Sequence, residues 1–138
     1  ISTSTGLECV PRIFKKKLAQ IAPTIGYMYT NKNIINCMLN TYSTKTKNFL
    51  NLEDLVKNNL FYSDNFEEYN SKNVEIIKND TEYLKNYVNF CINIIEEKIN
   101  IEEIYSKQKT YRNKFQKFRK KGYKFNSIMY LEGNKNFD

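Results

Sequence analysis

The sequence predicts an all-α (mostly α) fold: a small helical bundle with a long or broken C-terminal helix pair and an irregular or short extended C-terminal tail. Three observations carry this expectation. Residues suited to helix N-caps stand before several apolar stretches, notably Asn51, Asn79 and Asn100. Apolar residues recur at spacings of three and four through much of the chain. The stretch 100–123, NIEEIYSKQKTYRNKFQKFRKKGY, has both helix ends written into it.

Taken in order, residues 1–10 are polar and without period, and are expected to be irregular. Pro11 fits the first turn of a helix in which Ile13, Phe14, Leu18 and Ile21 share a side, and Pro23 ends it. TIGYMYT, 24–30, reads as a short strand or as the lead into the next helix. Residues 32–43 carry Ile34, Ile35, Met38, Leu39 and Tyr42 at helical spacing, followed by a loop, STKTKN. Asn51 is placed to cap a third helix, with Glu53 and Asp54 in its first turn and Leu52, Leu55, Val56 and Leu60 on its apolar side.

From 63 to 79 the pattern is weaker. Ser63 or Asp64 is a cap for a short helix holding Phe66 and Tyr69, and NVEIIKN fits a helical turn or an extended piece. Asn79 with Glu82 has the spacing of a capping box, opening a helix whose stripe of Leu84, Tyr87, Val88, Cys91, Ile94 and Ile95 makes it central. Asn100 with Glu103 repeats that box. It favours a break there over one continuous helix from 80 to 121. Arg119, Lys120, Lys121 and Gly122 then read as a helix C-terminus. FNSIMYL fits a short strand or packed extended tail, and GNKNFD a turn and terminus.

At 138 residues the chain suits one domain with a core of its own. Its net charge of +7 is unevenly spread: residues 105–138 hold 10 basic and 2 acidic side chains. Asn, Lys, Ile and Tyr supply 65 of the 138 residues, all with codons rich in A and T, so base composition accounts for some of the lysine. It does not account for the absence of acids between Glu103 and Glu132. Within that span Ile104, Tyr111, Phe115 and Phe118 fall on one stripe and are expected to face the core rather than stack on bases. The cations around the stripe are the candidate nucleic-acid contacts: Lys107, Lys109, Arg112, Lys114, Lys117, Arg119, Lys120, Lys121 and Lys124.

Other chemistry is excluded or poorly supplied. The chain has no histidine, which removes Ser-His-Asp and Cys-His catalysis and His-ligated metals. It has no phosphate-cradling glycine motif. Its carboxylate pairs are adjacent in sequence and diverge on a helix, so they form no acid–base dyad by themselves. No enzyme activity, cofactor or metal is expected. Three scattered cysteines, Cys9, Cys37 and Cys91, make no disulfide framework and point to a reducing compartment, the cytosol or an organelle matrix such as the mitochondrial one. No segment has the apolar length to span a bilayer. The chain starts at Ile1, so its first residue is read as a processing site or a fragment edge. The expected function is a non-catalytic accessory subunit of a ribonucleoprotein, an organellar ribosome being the concrete example, with RNA and neighbouring subunits as partners. The alternative is a helical interaction module docking on an acidic protein surface.

Overall fold

The computed structural model describes residues 10, 13–22, 24, 31, 33–118 and 127–137. The all-α expectation is overturned: 41% of the described residues are helical, 20% are strand, and there are two sheets of three strands each. Strands β1 (Leu18–Ala22), β2 (Ile34–Met38) and β6 (Ile128–Met129) pair in parallel in the order β1-β2-β6. Strands β3 (Asn40–Ser43), β4 (Asn48–Phe49) and β5 (Val74–Ile77) pair antiparallel in the order β4-β3-β5. Only Leu39 separates β2 from β3, so one extended run is the central strand of both sheets.

Two expected helices are corrected here. Residues 18–22 and 34–38 are strands because both their faces need cover, which is what a strand inside a parallel sheet requires. Along β2, Ile35 and Cys37 face one core with Ala19, Ile128 and Tyr130, while Met38 faces a second core with Ala22 and Met129. Alternate side chains therefore serve opposite layers. The spacing that fits a helix over 32–43 is an accident of an almost continuous apolar run.

Helices cover both faces. Helix α1 (Leu52–Lys57) starts at Asn51, whose side chain accepts from Asp54 N–H while Asp54 returns the bond, a complete capping box. It buries Leu52 and Leu55 in the second core, as its apolar side predicts. Helix α2 (Phe66–Ser71) is capped by Asn65 rather than Ser63 or Asp64, and buries Tyr69 there too. Helix α3 (Thr81–Ile95) is capped by Asp80 rather than Asn79, and sets Tyr87, Cys91 and Ile94 on the first core. The Tyr87 hydroxyl lies 2.8 Å from Ile35 O and 3.0 Å from Gln20 O, tying the helix to β1 and β2 at once.

Helix α3 stops in a Schellman turn. Lys98 N–H donates to Asn93 O at 2.9 Å and Glu97 N–H to Ile94 O at 3.3 Å. Glu97 occupies the left-handed position with φ of 60°, where glycine is usual. A side chain there costs roughly 1–2 kcal/mol, and glycine returns part of that gain through its freer unfolded state. Glu97→Gly is therefore expected to raise stability by about 0.5–1 kcal/mol, read as a higher urea midpoint at unchanged m. Glu97→Ala, which keeps the Cβ, gives no such gain.

Asn100 caps helix α4 (Ile101–Lys107) through a bond from Glu102 N–H at 2.9 Å, without the expected box to Glu103, whose carboxylate pairs with Lys107. The path then breaks again at Gln108, before helix α5 (Lys109–Lys117). The physical reason lies in the two cores. Ile101, Ile104 and Tyr105 of α4 pack on the first, whereas Phe115 of α5 is buried in the second. The helix pair thus crosses the β6 edge from one face of the sheet to the other. At the crossing, Gln108 Nε2 donates to Met129 O at 2.6 Å and Gln108 Oε1 accepts from Met129 N–H at 3.0 Å. One side-chain amide pairs the sheet edge as a neighbouring strand would.

The tail 131–137 is more than a terminus. Asn134 Nδ2 donates to Met38 O at 2.6 Å, and Asn136 Nδ2 to Leu39 O at 2.9 Å. Asn136 Oδ1 accepts from Thr41 N–H and from the Thr41 hydroxyl at 3.1 and 2.7 Å. These bonds fill the gap in backbone pairing where β2 becomes β3.

Candidate nucleic-acid interface

Helix α5 carries the basic surface. Its inner face is fixed by Phe115, which lies 5.7 Å from Phe61 and 5.8 Å from Phe137 between ring centres. Phe118 stands 5.6 Å from Phe61, and Tyr111 6.0 Å from Phe137. Phe115 is thus a core residue, with Tyr111 and Phe118 half-buried at its margin.

The cations separate into three groups. Lys109, Lys114 and Lys117 are exposed, and among the described residues none forms an ion pair. At about 100° per residue they share an arc of roughly 140°, with Lys117 in its middle. Lys107 is also exposed but bonds Glu103 at 2.6 Å, one helical turn back. That hydrogen bond and the lysine charge hold the Glu103 carboxyl below its usual range, and Lys107 adds little net charge.

Arg112 is placed differently. It is 8% exposed, its guanidinium sits 3.5 Å over the Tyr105 ring, and Nη2 donates to Tyr105 O. The break at Gln108 leaves carbonyls of the last turn of α4 without a following helical N–H, and Arg112 meets one of them. The structure thus sets Arg112 as a staple across the helix joint, turned away from the outward lysines. Arg119, Lys120, Lys121 and Lys124 lie outside the described residues.

Beside Lys114 the surface opens into a recess of about 120 Å³. Tyr111 and Lys114 of α5 with its C-cap Phe118 form one wall, Glu53 of α1 with its N-cap Asn51 a second, and Phe137 a third. Sequence reading assigns Glu53 only to a helix start and gives Phe137 no role. Nothing short of the tertiary arrangement joins 51–53, 111–118 and 136–137.

Both cysteines among the described residues, Cys37 and Cys91, are buried. Burial, the largest cause, pushes Cys37 up to about 11 against hydrogen bonds with Tyr83 and Asn79 that pull it down. Burial likewise pushes Cys91 up to about 11. Both groups are more easily kept protonated in the folded than in the unfolded chain. Their stabilising contribution is complete below about pH 9 and is lost as pH rises through about 11. Between those limits stability is expected to fall as pH rises. Urea midpoints at pH 8, 9.5 and 11 check this, and a flat profile would contradict it. Among the described residues no group of Cys, Asp and Glu is arranged to hold a metal ion, and no helix is long and apolar enough to cross a membrane.

Compared with known protein families, curated proteins and solved structures, the chain matches none.

Proposed function

We propose that this protein is a non-catalytic subunit of a ribonucleoprotein that binds RNA phosphate through the outward face of α5. The observation that carries the reading is the set of three exposed lysines, Lys109, Lys114 and Lys117, on one helix face with no carboxylate partner among the described residues. Surface charges of one sign left unpaired on a rigid element release counterions when phosphate replaces solvent. The rigidity comes from Phe115 beneath and Gln108 at the helix start. Phosphate contacts of this kind fix position and carry no sequence information by themselves.

The test is anisotropy of a labelled structured RNA at about 50 mM salt, with wild type and the variant K109Q/K114Q/K117Q. The variant is expected to bind at least tenfold more weakly while keeping its circular dichroism and melting curve. Tight binding of polyglutamate with none of RNA would replace this reading by docking on an acidic protein.

A further inference from the structure

The antiparallel sheet β4-β3-β5 covers the second core with one face only. Thr41, Ser43 and Val74 are buried on that face, where Val74 and Ile76 join the core. Side chains alternate along a strand, so Asn40, Tyr42, Glu75 and Ile77 stand on the opposite face. The register sets Phe49, Tyr42 and Glu75 in one row across the three strands. Tyr42 and Phe49 meet edge to face at 5.4 Å between ring centres, and neither ring belongs to either core. Phe49 is 45% exposed and Tyr42 half-buried. Rings on neighbouring strands of an uncovered sheet face are a platform on which the bases of a single strand stack.

The positive charge lies beside the rings. Loop 44–47 joins β3 to β4 and carries Lys45 and Lys47, both exposed and without an ion pair among the described residues. The chain holds no acidic residue between Glu8 and Glu53. The loop is fixed in place: the Thr44 N–H and hydroxyl both donate to Asn73 O, at 2.9 and 3.1 Å, and Lys47 N–H donates to Ser43 O at 2.9 Å. Glu75, exposed on the other side of Tyr42, repels phosphate. The backbone of a bound strand therefore belongs on the β4 side, along the two lysines. Bases match the rings and phosphates match the lysines, whereas an acidic protein patch supplies only the charge.

We infer that the outer face of sheet β4-β3-β5 binds single-stranded RNA, with bases stacked on Phe49 and Tyr42 and phosphates on Lys45 and Lys47. The choice of RNA rests on the reading proposed for α5, but none of these residues belongs to that helix.

The experiment uses a labelled ten-nucleotide oligo(U) and an abasic strand of the same length and charge, at several salt concentrations. The proteins are wild type, Phe49→Leu, K45Q/K47Q and K109Q/K114Q/K117Q, with melting curves to verify that each variant keeps its fold. Phe49→Leu retains apolar bulk and loses the ring. Wild type is expected to bind oligo(U) about tenfold more tightly than the abasic strand, and Phe49→Leu to lose most of that difference with abasic binding unchanged. K45Q/K47Q should make the slope of log K against log salt shallower by about 1.4. The chain has no tryptophan, so Phe49→Trp places a single reporter on the face, and oligo(U) is expected to quench its emission where the abasic strand does not. Equal affinity of wild type for the two strands, or Phe49→Leu binding oligo(U) as wild type does, would overturn the stacking face and leave the α5 reading to be decided by K109Q/K114Q/K117Q. Absence of binding by either strand at low salt would overturn both. A change in F49W emission on adding polyglutamate, with none on adding oligo(U), would give the face to an acidic protein and overturn its assignment to RNA.

Discussion

Asn136→Ala is expected to cost about 3–5 kcal/mol of folding stability, a large share of what a domain of this size possesses. Asn136 is 1% exposed, and its amide serves Thr41 N–H, the Thr41 hydroxyl and Leu39 O. Alanine removes all three bonds and leaves the Thr41 amide buried without its acceptor, at roughly 1–3 kcal/mol for each group so stranded. The site is where β2 passes into β3, so the loss loosens the central strand of both sheets together. A fall in the urea midpoint measures it. Asn113→Ala, on the exposed face of α5, is the control and should stay within about 0.5 kcal/mol of wild type. A drop of under 1 kcal/mol for Asn136→Ala would mean that the tail does not hold the strand junction.

Gln108→Ala is expected to cost about 2–4 kcal/mol. The amide makes two bonds to Met129, whose N–H and C=O point away from β2, and Met129 is 2% exposed. Alanine leaves both groups at a sheet edge without a strand beside them. Gln108→Glu has the same size and keeps only the acceptor, turning a carboxylate toward Met129 O. It is therefore expected to be weakened at pH 7 and to recover in acid as the carboxyl protonates and can donate again. A variant insensitive to pH would show that Gln108 acts by packing alone.

These two residues also show why sequence reading fails where it does. Gln108 lies inside a stretch whose helical period runs unbroken from α4 into α5, and nothing local reveals that the chain must cross a sheet edge there. Asn134 and Asn136 sit in GNKNFD, a composition that normally means a solvated end. Their burial comes from a gap in pairing at Leu39, formed by residues about 95 positions away. The strands were hidden for a related reason. LAQIA and IINCM are too short for periodicity to separate strand from helix, and they lack polar alternation because both their faces are covered. Gln20 and Asn36, fully buried within them, blur the pattern further.

Helices announced by their own caps were legible. Asn51 and Asn100 cap α1 and α4, and Tyr87, Cys91 and Ile94 of α3 are buried as their spacing requires, whereas Ile95 of the same expected stripe is 56% exposed. At Asn79 the signal was one residue out: Asp80 takes the cap, while Asn79 turns inward to Met38 O and Asn40. Of the basic cluster, exposed Lys109, Lys114 and Lys117 follow from helical geometry alone. Arg112 does not, since its burial depends on the helix joint, and the recess by Glu53 depends on three distant segments.

The central claim is that those three lysines neutralise RNA phosphates. It is tested most directly by the slope of log K against log salt for a single-stranded RNA, measured on wild type and on K109Q/K114Q/K117Q. Each phosphate neutralised on a single strand contributes about 0.7 to that slope, so the variant should be shallower by about 2. Equal slopes for the two proteins, or no binding by wild type at low salt, would contradict the account.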